Sequence, residues 1–135
     1  MAGNEVRKVI VSDKAPQAPH YSQAIQTGNL VFLSGQLGMD PATKALVDGG
    51  VGPQTEQALR NLRAVLEAAG ASLNNVIKVT VLLEDIKDYG VMNEVYLKFF
   101  PSAPPARAAF AVAALPRGGA VEIEAVATLD PAAKL

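Results

Sequence analysis

The chain has 135 residues, half of them hydrophobic and 19% charged, as expected for one soluble globular domain spanning 1–135. Lys plus Arg is 12 against 13 for Asp plus Glu, and the net charge of −1 gives no general drive toward phosphate backbones or anionic membranes. With no cysteine and one histidine, His20, disulfides, thiolate chemistry, Cys-ligated zinc and a multi-histidine metal site within a single chain are excluded.

The N-terminal stretch lacks the apolar run of a signal peptide, and no segment approaches a membrane span. A soluble intracellular protein is expected, cytoplasmic by default, with a mitochondrial location left open by the short N-terminal segment. Residues 6–11 read as a short strand that stops before Pro16 and Pro19. Residues 22–27 and 30–34 read as two strands joined by Gly28-Asn29, a tight hairpin, followed by a Gly-, Pro- and Asp-rich loop from about 35 to 52.

Pro53 suits the start of a helix, where its missing N–H has no partner to lose. Ala58, Leu59, Leu62, Val65, Leu66 and Ala69 then recur at helical spacing, and Gly70 provides the stop. Residues 76–84 alternate as a strand, with Ile77, Val79, Val81 and Leu83 on one face and Lys78, Thr80 and Glu84 on the other. A second helix covers about 88–99 with Met92, Val95, Tyr96 and Phe99 as its stripe, stopped by Pro101. Strands over 107–113 and 121–128 flank the turn-forming LPRGG. The order β-ββ-α-β-α-β-β, with one apolar stripe per helix, predicts an α+β two-layer domain, a mixed sheet with two helices packed on one face. Val126 and Leu82 then point to the uncovered face, which an oligomer would bury.

The chemistry concentrates late in the chain. Between Lys98 and Arg117 the only ionisable residue is Arg107, set among Ala, Phe, Val and Pro. A guanidinium there is costly to desolvate unless it meets an anion. Glu122 and Glu124 share one face of the last strand, their Cα atoms roughly 6–7 Å apart. Their mutual repulsion raises one carboxyl toward general-base range. Alternatives remain open on these residues alone: an internal salt bridge from Arg107 to one glutamate, and a solvated strand face for the carboxylates. Tyr21 suits a substrate-orienting hydroxyl or a core tyrosine. His20 suits an exposed loop. Ser34-Gly35 ends a strand where backbone can approach a ligand closely. Asn93 lies off the second helix's stripe, and no lysine is placed for Schiff-base chemistry.

Six segments together resemble the reactive intermediate deaminase family, RidA/YjgF. They are YSQAI at 21–25, VFLSGQLGMDP at 31–41, the helix–strand run 57–86, VMNEVYLKFF at 91–100, PARAAF at 105–110 and ALPRGGAVEIEAVA at 114–127. The resemblance covers nearly the whole chain. It implies a chorismate-mutase-like fold, a homotrimer with sites between subunits, and hydrolysis of 2-imino acids or their enamine tautomers, such as 2-iminobutanoate and 2-iminopropanoate, to 2-oxo acids and ammonia. It implies no metal or organic cofactor. Carried over by position, the carboxylate-binding arginine falls on Arg107 and the water-activating glutamate on Glu124. The pocket tyrosine falls on Tyr21, with Ser34, Gly35, Asn93 and Ala109 completing the substrate site. A non-enzymatic ligand-binding or chaperone-like trimer and an endoribonuclease or translation inhibitor are the alternatives the family carries. Near-zero net charge, a single histidine and the lack of an aromatic stacking motif disfavour RNA. Two departures stand out: Pro19-His20 where many members have Gly-Pro, and Ala109 where some carry cysteine.

Overall fold

A computed structural model describes residues 6–129. Along these residues run β1 (Lys8–Ile10), β2 (Ala24–Thr27), β3 (Leu30–Leu37), α1 (Val51–Ala68), β4 (Val76–Leu83), α2 (Tyr89–Phe99), β5 (Ala106–Ala111) and β6 (Val121–Thr128). The strands form one sheet in the order β1-β2-β3-β6-β4-β5. Only β4 and β5 run parallel; every other pairing is antiparallel. Strand β6, last in the chain, inserts between β3 and β4, so the β3–α1–β4 unit is a split crossover. The expected mixed sheet with both helices on one face is what forms.

Val31, Leu33, Val79, Val81, Leu83, Val121, Ile123, Ala125 and Ala127 face the helices and are buried. Ala58, Leu59, Leu62, Val65 and Leu66 of α1, and Met92 and Tyr96 of α2, close over them. Each fully buried Val, Leu or Ile side chain stabilises the fold by about 1.5–3 kcal/mol relative to exposure. Helix α1 ends as Gly70 predicts. Gly70 sits at φ +81, its N–H bonds to the Glu67 carbonyl at 3.0 Å, and Ala71 N–H reaches the Leu66 carbonyl at 2.9 Å. This paired closure satisfies carbonyls that the helix end would otherwise orphan.

Three expectations change. Strand β1 shrinks to three residues because it is an edge with β2 as its one partner. Strand β3 does not end at Ser34 but runs to Leu37, with a register shift between Leu33 and Gln36. Ile77 is not in the core. The β4–β6 register slips between Val76 and Lys78, so Val76 is buried and Ile77 turns outward. One extra residue in a strand flips the side chains before it to the other face.

The sheet's second face has no cover among the described residues. Val9, Ile25, Phe32 and Val126 are successive cross-strand partners on it. Phe32 and Phe110 are 47% and 48% exposed.

Candidate active site: two half-sites on opposite faces of the sheet

Arg107 pairs with Val79 on β4, which pairs with Ala125 on β6. Val79 and Ala125 lie beneath the helices, so Arg107 turns to the helix side, at the open edge of the sheet. There α2 holds it. Its guanidinium stacks 4.7 Å from the centroid of Tyr96 and 5.5 Å from that of Tyr89. Nη2 donates to the Tyr89 hydroxyl at 2.9 Å, and Nη1 lies 3.9 Å from the Met92 sulfur. The ion pairs among the described residues are Arg60–Glu56 and Lys87–Asp85, so Arg107 has no carboxylate partner there. The internal salt bridge, open on sequence alone, is not made. A half-buried guanidinium held by aromatic rings, with most of its five N–H donors unused, is built to receive an anion. Burial raises the Tyr96 hydroxyl pKa, and the adjacent Arg107 charge opposes the rise. Asn93 stands one helical turn beyond Tyr89 on α2, and Ala109 two residues beyond Arg107 on β5, so both border this half-site.

Tyr21, Gly35 and Glu122 meet elsewhere. They line a cleft of about 290 Å³ with His20, Pro116 and Arg117. Gly35 is the close-approach position: a Cβ there would stand 2.9 Å from Glu122 Oε2. Only glycine lets the carboxylate lie against the backbone of β3. Tyr21 is 57% exposed, and its hydroxyl has no hydrogen-bond partner among the described residues. Ser34, next to Gly35, does not line the cleft. Its hydroxyl donates to the Ser22 carbonyl at 2.6 Å, which ties β3 to the segment carrying Tyr21. The buried Gln23 amide fastens the same segment, accepting from Ser12 N–H and donating to the Ser12, Ala15 and Pro16 carbonyls.

Glu124, the expected water-activating residue, does not line this cleft. It is exposed, opposite Thr80, and Glu122 occupies the cleft instead. The β3 bulge helps: three steps from Leu33 to Gln36 match two steps from Ala125 to Ile123, so Gly35 leaves the helix side and takes the face that Glu122 shares. Burial raises the Glu122 carboxyl pKa from its ordinary value, and the neighbouring Glu124 charge adds to the rise.

Six of the seven expected residues fall into two groups that one chain does not bring together, and the seventh, Glu124, joins neither. Arg107, Ala109 and Asn93 lie at the β5–α2 edge on the helix side. Tyr21, Ser34 and Gly35, with Glu122, lie where β3 and β6 meet on the other face. Two strand spacings to β6, about 10 Å, or three to β3, about 14 Å, and the thickness of the sheet separate them. Among the described residues no group of three or more His, Asp or Glu is placed to hold a metal ion. Sequence reading missed the Tyr89–Met92–Tyr96 cradle. Its signal was present in retrospect: Tyr89 and Tyr96 are one helical face, seven residues apart.

Residues 12–129 match the family described as Endoribonuclease L-PSP. The chain belongs to this family. It is the family its sequence motifs resemble. Among Endoribonuclease L-PSP relatives, a mouse protein named 2-iminobutanoate/2-iminopropanoate deaminase is 53% identical over 127 residues, covering 93% of this chain and 94% of its own. The crystal structure of RidA from the Antarctic bacterium Psychrobacter sp. superposes with a TM-score of 0.87 at 50% identity, covering 90% of this chain and 99% of that one. That of E. coli TdcF with bound serine gives a TM-score of 0.87 at 37% identity, with coverage of 91% and 99%.

Proposed function

We propose that the protein is an imine deaminase that hydrolyses small 2-imino acids, of the 2-iminobutanoate and 2-iminopropanoate class, to 2-oxo acids and ammonia. The observation that carries this reading is Arg107, an unpaired guanidinium cradled by Tyr89 and Tyr96. Relatives at 50–54% identity bear the deaminase name, and the E. coli neighbour holds serine, itself a small amino acid. A single clamp for one carboxylate suits a small acid better than a phosphate backbone, which takes many cations.

The two half-sites work together when two copies associate. The uncovered apolar face supports a homotrimer, in which the Arg107 edge of one chain meets the Glu122 cleft of the next. Arg107 holds the substrate carboxylate with two parallel hydrogen bonds. Glu122 takes a proton from water as the oxygen attacks the imine carbon, and returns it to nitrogen. Glu122 then takes the hydroxyl proton of the tetrahedral intermediate and passes it to nitrogen as the C–N bond breaks, so that ammonia leaves and the carbonyl forms. An enamine substrate is first protonated at C3. Tyr21 and the β3 backbone near Gly35 orient the substrate; Asn93 and Ala109 border its carboxylate end. Raised proton affinity suits Glu122 to both directions of proton transfer. The compartment we propose is the cytoplasm.

A coupled assay tests the activity. An amino-acid oxidase generates the imine in the presence of semicarbazide, and suppression of semicarbazone by the protein reports hydrolysis. Arg107→Ala should lower kcat/KM by on the order of 10²-fold, the cost of a charge-assisted pair. Full activity in that variant, or no suppression by wild type across several imino acids, overturns the reading.

A further inference from the structure

The Glu122 cleft has a cation on its wall, Arg117, that the deaminase reading leaves unused. Arg117 and His20 both line it, and His20 is one of this chain's departures from the family pattern. Arg117 stands at φ 58, ψ 16, in the left-handed region. A residue with a Cβ pays roughly 1–2 kcal/mol there, and glycine pays nothing. Two glycines follow it. Gly118 is at φ +70, and a Cβ on Gly119 would stand 2.9 Å from Leu37 Cδ2. The turn therefore packs down on the end of β3 and fixes Arg117 beside the cleft. Its guanidinium has no carboxylate partner among the described residues, and its bond to the Lys44 carbonyl, from Nη1, is long at 3.4 Å. Most of its five donors remain free. Of the three non-glycine residues at positive φ among those described, Lys44, Ala103 and Arg117, Arg117 is the one that lines this cleft, where it presents an exposed guanidinium.

We infer that Arg117, in the cleft that His20 also lines, forms a second anion subsite, and that the protein accepts 2-imino acids whose side chain ends in a carboxylate. The inference rests on the deaminase reading of this cleft. Arg107 of one chain takes the 2-carboxylate, and Arg117 of the next takes the side-chain carboxylate. A dianionic substrate entering beside Glu122 needs a second cation, which Arg117 supplies. At about 290 Å³ the cleft lies at the small end of ligand sites, a fit for a short dicarboxylic acid.

Titration calorimetry on the full chain tests this with two stable 2-oxo acids, 2-oxoglutarate and 2-oxobutanoate. Arg117→Gly suits the left-handed turn and removes the cation, and Arg117→Lys keeps a charge. Wild type should bind 2-oxoglutarate at least as tightly as 2-oxobutanoate. Arg117→Gly should shift the affinity ratio against 2-oxoglutarate by about tenfold, the worth of one charge-assisted bond, and Arg117→Lys should restore part of it. A wild type that prefers 2-oxobutanoate by about tenfold or more, or a ratio unchanged in Arg117→Gly, overturns the inference. Arg107→Ala separates the two levels. If it loses both probes while Arg117→Gly keeps the wild-type ratio, only the second subsite fails. If it keeps both probes, the reading of the whole site fails and the subsite with it.

Discussion

Two carboxylates two residues apart on one strand have different fates. Glu122 lies in the cleft against Gly35, and Glu124 stands exposed. Glu122→Gln should lower kcat by on the order of 10²-fold, the range of general acid–base catalysis, while Glu124→Gln stays close to wild type; the reverse order would reassign the base. The same carboxyl affects stability. Its folded pKa is raised, so the folded state binds its proton more tightly than the unfolded state does. Stability from this group is therefore present below the unfolded value, about 4.3, and is lost as pH rises through the raised folded value. Glu122→Gln lacks that loss. Its melting temperature should gain on wild type across this window, as thermal denaturation between pH 4 and 8 would record. Arg107 was legible because an isolated charge in an apolar run demands a partner. That the partner is not Glu122 or Glu124 was not legible, because strand pairing decides which face each residue takes.

At the scale of elements, a glutamine and a bulge build the cleft. Gln23 fastens the segment 12–21 to the sheet through four hydrogen bonds between 2.7 and 3.2 Å. Gln23→Ala would leave buried backbone groups unsatisfied, at about 1–3 kcal/mol each. The melting temperature should fall by on the order of 10 °C for a domain of this size, and KM should rise as Tyr21 loses its support. A variant with wild-type melting temperature and KM would contradict this account. Both helices, the β4 and β6 strands and the Gly70 stop were legible from periodicity and turn chemistry. The extension of β3 through Gly35 was not. Glycine after a run of strand residues reads as a loop start, whereas here it is a close-approach position inside the strand.

At the scale of the whole molecule, the candidate site residues are divided between opposite faces of one sheet, and among the described residues its apolar second face is uncovered. If the site is composite, defects in different halves should complement. Mixing Arg107→Ala with Glu122→Gln chains, after mild unfolding and reassembly, would put an intact Arg107 opposite an intact Glu122 in about a quarter of sites at random exchange in a cyclic trimer. Activity near that fraction supports the composite site, with sedimentation to count the chains. Mixtures as inactive as their parents would place the chemistry within a single chain.

The alternating and helical periodicities of the sequence determined the element order, the two-layer class and the lone arginine's need for an anion, because these follow from local spacing and desolvation cost. Only the tertiary structure decided that Glu122, not Glu124, shares the cleft with Tyr21. It alone set Arg107 in an aromatic cradle on the far side of the sheet. Bulges in β3 and β4 each insert one residue, and with a side-chain period of two, one residue is enough to exchange the faces of a strand.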